Sequence, residues 1–279
     1  MKLSVEIYPP KSGDCRDLAV TFVRAGARHI SVTYGAGGSS RERSKSATLG
    51  LAYAGVPVSA HITAAGQSRE EIDQTLSMWF RAGIRRFVAL RGDGDGPGEP
   101  FRPHPDGYAS SLDLIARVRD LGAKDISVAA YPNGHPDSRG PDADLDFLKQ
   151  KRDAGATEAI TQFFFNSDDY FRFRDRCTAA NVGLDIVPGI MPVFEFVKVA
   201  KFAKACGEPI PQWVTDRFAG LDADPDVRRQ VAVATAVSLC ERLDANDVSR
   251  IHVYSCNQAE LAVAIARVLA FPEAPAKAA

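Results

Sequence analysis

An α/β fold, a (β/α)8 TIM barrel with an extra helical insertion before the last strand, is predicted by three observations. Eight short apolar runs alternate with longer helical patterns along the chain. Four of those patterns end in Ala-Gly just before the next run, at Ala25-Gly26, Ala54-Gly55, Ala82-Gly83 and Ala154-Gly155. Seven of the eight runs carry a polar residue at or just past their carboxyl end. Strand–helix alternation implies parallel strands joined by crossovers. Eight such units in about 250 residues match a closed barrel. A doubly wound open sheet is the competing architecture, but it usually has fewer strands and a dinucleotide fingerprint.

The elements follow in order. The first strand spans 3–8 and stops at Pro9-Pro10, because proline has no N–H to give to a ladder. A helical pattern over 16–25 leads to a strand at 29–33, and a second over 40–54 leads to a strand at 58–62. The patterns at 69–82 and 110–121 flank a strand at 87–90. Strands at 126–130 and 159–162 enclose a helix at 144–154. In each Ala-Gly stop, glycine accepts the positive φ that ends a helix. A helix at 168–180, a strand at 185–188 and a helix at 194–205 complete the seventh unit. The insertion covers roughly 211–243, and its Asp222-Ala-Asp-Pro-Asp226 reads as a helix start, with acids at the positive end of the dipole. A strand at 251–254 and a helix at 258–269 close the count. Residues 1–271 read as a single catalytic barrel and 272–279, rich in Ala and Pro, as a disordered tail.

Composition excludes several classes. The chain has 279 residues, 45% apolar and 25% charged, with a formal net charge of −1. Such a balance offers no positive field for nucleic acid or an anionic membrane. No apolar run approaches the roughly 20 residues of a spanning helix, and the start breaks too early for a signal-peptide core. Five scattered cysteines, none in Cys-x-x-Cys, point to neither a disulfide framework nor a metal site. A reducing cytoplasm fits. A homo-oligomer is compatible with this composition, which sets no oligomeric state.

The polar strand ends are the candidate site. Glu6 closes the first strand, Thr33-Tyr34 follows the second, His61 closes the third and Arg91-Gly92-Asp93 follows the fourth. Tyr131 follows the fifth with His135 close behind, Gln162 closes the sixth and Tyr254 the eighth. In this fold chemistry sits where strands give way to loops. A carboxylate among apolar neighbours is costly to bury as an anion, so it finds a partner or becomes a usable acid. Each residue also has an ordinary structural reading. Glu6 alone could be an ion-paired carboxylate, His61 a satisfied core histidine, and Asp93 a turn cap in Gly92-Asp93-Gly94-Asp95-Gly96. That run is neither a dinucleotide fingerprint nor a phosphate loop. His29 and His104 read as surface or packing residues. Phe163-Phe164-Phe165 reads as core plus one exposed ring.

Longer motifs carry a resemblance. Ser31-Val32-Thr33-Tyr34-Gly35-Ala36, Val88-Ala89-Leu90-Arg91-Gly92-Asp93, Ser127-Val128-Ala129-Ala130-Tyr131-Pro132, Ala159-Ile160-Thr161-Gln162-Phe163-Phe164-Phe165, Val187-Pro188-Gly189-Ile190-Met191-Pro192 and His252-Val253-Tyr254 occur in that order. From Glu6 to Leu269 the chain resembles the methylenetetrahydrofolate reductase family, whose fold is a flavin-binding (β/α)8 barrel. The resemblance implies an oxidoreductase of one-carbon metabolism. NADH or NADPH would reduce bound FAD, and the reduced flavin would pass hydride to 5,10-methylenetetrahydrofolate, giving the 5-methyltetrahydrofolate used in methionine biosynthesis.

It also implies roles. Glu6 matches the family's general acid, and Asp93 the aspartate beside the flavin and the pterin. For FAD the matching positions are Thr33, Tyr34 and Ala36 after the second strand, His61, then Arg91, Gly92 and Asp93, with Ala109. Tyr131, His135, Asp144 and Lys151 complete the set. The cations Arg91, His135 and Lys151 suit a pyrophosphate. Gln162 would meet pterin and nicotinamide in turn, Phe202 would stack on either, and Tyr254 lies in the same substrate set. Two positions depart from the family. Gln258 stands where relatives commonly have an arginine that helps hold the folate, and Lys198 where some have a glutamine. The Lys198 charge would then offset the one lost at Gln258, for a glutamate tail. The resemblance covers the barrel alone, so feedback by S-adenosylmethionine at an added domain is not expected. The alternative function is a flavin-free pterin- or folate-binding barrel that transfers a methyl group or builds the pterin.

Overall fold

The computed structural model describes residues 1–11, 14–35, 40–92, 102–269 and 271. Its strands are β1 (Lys2–Ile7), β2 (Ala27–Val32), β3 (Val58–Thr63), β4 (Arg86–Leu90), β5 (Asp125–Ala130), β6 (Glu158–Phe163), β7 (Asp185–Ile190) and β8 (Arg250–Tyr254). Each pairs in parallel with the next, and β8 returns to β1, closing the barrel in sequence order. Between them run α1 (Arg16–Arg24), α2 (Arg41–Tyr53), α3 (Arg69–Arg81), α4 (Ser111–Asp120), α5 (Pro141–Ala154), α6 (Ser167–Ala179) and α7 (Phe196–Cys206). The insertion before β8 is α8 (Gln212–Phe218), a 3-10 turn and α9 (Pro225–Asp244), and α10 (Ala259–Val268) follows β8. No helix among the described residues is long and apolar enough to cross a membrane.

Local chemistry explains the element ends. Ser68 and Ser110 make capping boxes with Glu71 and Asp113, satisfying the first free N–H groups of α3 and α4. Asp224 caps α9 through the Val227 N–H, with Pro225 at the first helical position, as its sequence predicts. Several boundaries differ from the sequence reading by one to three residues, and three helix starts among them have a local reason or consequence. Helix α5 begins at Pro141 rather than 144, because a proline at the first position lacks only an N–H that would be unbonded there. Helix α7 begins at Phe196, not 194, since Glu195 keeps extended backbone. Helix α10 begins at Ala259, which leaves Gln258 as its N-cap residue. The tail 272–279 lies outside the described residues.

Alternation along the strands separates two layers. Ile7, Ile30, Val32, Ala60 and Ile62 join Leu76 and Trp79 in the apolar layer under the helices. The other parity is polar. The register sets Ser4 beside His252, Glu6 beside both Ser31 and Tyr254, and Ser31 beside Ser59. Barrels of this class usually fill their centre with branched aliphatic side chains; here hydroxyls and imidazoles take much of that space. A second apolar cluster joins Phe163, Phe165, Met191, Val199, Val214, Phe218 and Ala236, and fastens α7 and the insertion to the barrel. Phe163, Phe164 and Phe165 are 0%, 2% and 7% exposed, so none presents the open ring expected from the sequence. The reason is that insertion, whose helices cover this edge.

Candidate active site

Glu6 is the last inward-facing residue of β1. Its carboxylate Oε2 lies 3.7 Å from His61 Nε2 and 4.0 Å from His252 Nε2. Both separations exceed a direct hydrogen bond. Each imidazole is tied to a serine: His252 shares a 2.8 Å hydrogen bond with Ser4 Oγ through Nδ1, the nitrogen that does not face Glu6, whereas His61 shares a 2.5 Å one with Ser31 Oγ through the same Nε2 that faces Glu6. Burial pulls the His61 pKa down to about 4, outweighing the nearby Glu6 carboxylate. At neutral pH the pair is therefore a polar contact between carboxyl and neutral imidazole, not an ion pair.

The wall beside Glu6 is built from β8 and the chain after it. Tyr254 donates its hydroxyl to the Thr161 carbonyl at 2.8 Å, reaching past β7 to β6. It passes over Gly189, where a Cβ would come within 2.2 Å of the Thr161 oxygen and 2.5 Å of the tyrosine ring. Only glycine leaves that path open. Cys256 bonds the Tyr8 side chain, and burial followed by the Glu6 charge pushes its thiol up to about 12.

A cavity of about 1050 Å³ opens over the ends of β3, β4 and β5 and extends between α2 and α5. Eight of the residues expected to hold a cofactor line it: Tyr34, His61, Arg91, Gly92, Tyr131, His135, Asp144 and Lys151. Lys151 is buried, gives a 2.8 Å hydrogen bond to the Ala129 carbonyl and sits 4.8 Å from the Phe147 ring centre. Burial lowers its pKa to about 8, with Asp144 opposing. The His135 ring stands edge-on to Tyr131 at 4.6 Å, and the His135 backbone N–H donates to Asp144 Oδ2 at 3.3 Å. Burial first, then Arg91, lowers the His135 pKa. Arg91 reaches Asp137 Oδ2 at 3.0 Å and so ties the β4 loop to the β5 loop.

The remaining expected residues are placed differently. Thr33 is buried next to the cavity-lining Tyr34, and its Oγ1 has no hydrogen-bond partner among the described residues. Ala109 is exposed and precedes the cavity-lining Ser111 by two positions. Ala36 and Asp93 lie outside the described residues. Gln162 accepts the Phe163 N–H through Oε1 at 3.0 Å, at an irregularity in the β6–β7 pairing. Phe202 is 43% exposed and stacks on Phe163 at 5.8 Å. Lys198 pairs with Glu195 at 2.8 Å. Gln258 lines a separate cleft of about 300 Å³ with Glu195, Arg228 and Arg229.

Arg41 and Gln67 have no role in the sequence reading, and His252 enters it only as part of a motif. Arg41 lines the large cavity and donates to the carbonyls of Ala65 and Gly66 at 2.9 and 3.0 Å. A basic residue in a first helical turn opposes the dipole, and that was a readable signal. Gln67 accepts the Tyr34 hydroxyl at 2.8 Å.

Together, a closed parallel barrel and a large cavity lined by charged side chains of both signs, beside a buried carboxylate at its carboxyl end, define a (β/α)8-barrel enzyme that works at the loops after its strands. Residues 1–270 match the family model for methylenetetrahydrofolate reductase, and the chain belongs to that family. It is 39% identical over 274 residues to the 5,10-methylenetetrahydrofolate reductase of Pectobacterium carotovorum subsp. carotovorum, covering 96% of this chain and 90% of the relative. To the enzyme of the same name from Escherichia coli (strain K12) it is 37% identical over 274 residues, with the same 96% and 90% coverage. A solved structure from Clostridium thermocellum, described as binding two copies of 5-methyl-5,6,7,8-tetrahydrofolic acid, superposes with a TM-score of 0.65. At 14% identity over 96% of this chain and 94% of that one, it shows the shared fold.

Proposed function

We propose that this enzyme reduces 5,10-methylenetetrahydrofolate to 5-methyltetrahydrofolate, with NADH or NADPH as the hydride source, FAD as the resident cofactor and Glu6 as the proton donor. The observation that carries the reading is the double role of His61, which lines the large cavity and also stands 3.7 Å from Glu6. Cofactor space and acid thus meet at one side chain.

The residues present fit FAD. The cavity volume of about 1050 Å³ exceeds the usual range for a drug-sized ligand. Arg91, His135 and Lys151 converge on it as donors suited to a pyrophosphate. At Gly92, φ is +83° and a Cβ would stand 2.7 Å from Ala65 Cβ, so the wall there is bare backbone. Thr33 Oγ1, without a partner among the described residues, adds a buried polar atom next to the cavity-lining Tyr34. Bound FAD supplies the centre that takes hydride from the nicotinamide and returns it to the folate carbon.

The chain's own contribution is proton handling and orientation. The closed five-membered ring of the substrate resists hydride attack. A proton delivered by Glu6 to N10 favours opening to the 5-iminium cation, a good acceptor. General acid catalysis of this kind typically contributes about 10²–10⁴-fold. Asp93 is proposed to favour that cation by its charge. Gln162, Lys198, Phe202, Tyr254 and Gln258 are proposed to hold the folate.

Purified protein tests the reading directly. It should carry a flavin absorbance that NADH or NADPH bleaches without air. Adding 5,10-methylenetetrahydrofolate should restore the oxidised spectrum and yield 5-methyltetrahydrofolate. Flavin-free protein that still binds folate would favour the methyl-transfer or pterin-synthesis alternative.

A further inference from the structure

The parallel ladder between β1 and β8 runs from Lys2 beside Arg250 to Glu6 beside Tyr254 and then stops. Past that point the chain enters two successive left-handed residues, Cys256 at φ +48° and Asn257 at φ +58°. Cysteine in this region is uncommon, and asparagine is among the few side chains that tolerate it. The turn carries side chains back onto the end of β1. Ser255 Oγ donates to the Glu6 carbonyl at 2.5 Å and accepts the Asn257 N–H at 3.1 Å. The Asn257 amide accepts the Tyr8 N–H at 2.9 Å and donates to the Tyr8 carbonyl at 3.0 Å. A side-chain amide offers the same donor and acceptor as a peptide group, so Asn257 extends the ladder where backbone no longer can. On the other flank, the Ile7 carbonyl accepts the Thr33 N–H at 3.1 Å. Residues 6, 7 and 8 are therefore each anchored, immediately before Pro9 and Pro10, which have no N–H to contribute.

We infer that Ser255 and Asn257 are positioning residues for Glu6: they hold the end of β1 so that its carboxylate keeps its place beside His61 and the substrate. The inference rests on the proposed role of Glu6. A displacement of about 1 Å can cost on the order of 10²-fold in rate, and a strand end freed on the β8 side can move that far. The left-handed turn is the cost of building this clamp from the chain that continues to Gln258.

Asn257→Gly separates the amide from the backbone, because glycine adopts φ +58° freely but makes neither bond to Tyr8. Two readouts are taken. The first is amide hydrogen exchange, independent of catalysis: the Tyr8 N–H should exchange about tenfold or more faster than in the parent. The second is anaerobic stopped flow. The folate step should slow by about 10–100-fold, its pH profile should shift, and flavin reduction should stay within twofold. Asn257→Asp, which keeps the acceptor for the Tyr8 N–H and loses the donor, should fall between parent and glycine variant in both readouts. It also serves if the glycine variant fails to fold. An unchanged folate step, or equal slowing of both steps, overturns the inference. If the parent protein itself turns over no folate, the proposed function fails instead, while the exchange measurement still reports on the clamp.

Discussion

The Glu6 carboxylate stands 3.7 Å from His61, two strands round the barrel, and the imidazole is neutral because burial lowers its pKa to about 4. A neutral ring forms no ion pair with the carboxyl group beside it, as an imidazolium would. Glu6→Gln should therefore slow the folate step by about 10²–10⁴-fold and leave nicotinamide-driven flavin reduction within a few-fold. Anaerobic stopped flow resolves the two. Equal loss in both would remove Glu6 from the acid role.

Lys151 gives a pH signature for cofactor binding. Its folded pKa of about 8 lies below the usual 10.5 because burial disfavours the cation. Between those values the folded ligand-free chain binds fewer protons than the unfolded one, so its stability rises with pH across that window. A pyrophosphate arriving beside Lys151 should raise the pKa again. Binding of FAD to apoprotein at pH 8–9 should thus take up a proton, and affinity should fall as pH rises through about 8. Calorimetry in two buffers of different ionisation enthalpy measures the uptake. Lys151→Met should abolish it and weaken FAD binding by about tenfold or more, as expected for a lost charge-assisted bond.

The architecture was readable in the sequence because its signals are local. Pro9-Pro10 ends β1 at Glu6, and Ala-Gly stops mark the ends of helices. The contacts that define the site are not local. His61 meets Glu6 only because the sheet closes through the shared neighbour β2, and His252 reaches the same carboxylate from β8. No spacing along the chain encodes either. The left-handed pair Cys256 and Asn257 lacks the glycine that would have flagged it. The early start of α5 hid in Gly140-Pro141, which reads as a turn until the helix behind it is seen. Lys198 and Gln258 look complementary on paper, yet Lys198 is partnered by Glu195 while Gln258 lines the smaller cleft.

Glu208 should favour the folded state in acid and lose that contribution at mild alkaline pH. It is 5% exposed in the turn after α7, takes a 2.9 Å hydrogen bond from Asn133 Nδ2, and burial pushes its pKa from 4.5 up to about 7. The folded carboxyl holds its proton more tightly than the unfolded one. Its contribution is therefore complete below pH 4.5, declines as pH rises and is gone above about 7. Glu208→Gln keeps an acceptor for Asn133 and removes the charge. It should stabilise the protein at pH 8 by up to about 3 kcal/mol and change little at pH 4. Thermal unfolding at both values decides it; equal Tm shifts would show that the carboxyl is not held neutral.

Lys198 tests whether a departure from the family has been compensated. Its ammonium lies 2.8 Å from the Glu195 carboxylate, and the two side chains are 66% and 39% exposed. An exposed pair of this kind is worth about 1 kcal/mol or less, so an anionic folate tail could take Lys198 from Glu195 at little cost. Glu195 also borders the cleft that holds Gln258, which places the competing acid between the two positions. Lys198→Met should then raise the folate KM several-fold with kcat unchanged, because a tail contact is equally strong before and during the reaction. Glu195→Gln should lower the KM, since it frees the lysine. Both effects should shrink at high salt, as screening weakens exposed charges, and should grow for a substrate with additional glutamates. A folate KM indifferent to Lys198→Met would mean that the charge absent at Gln258 is not replaced from α7.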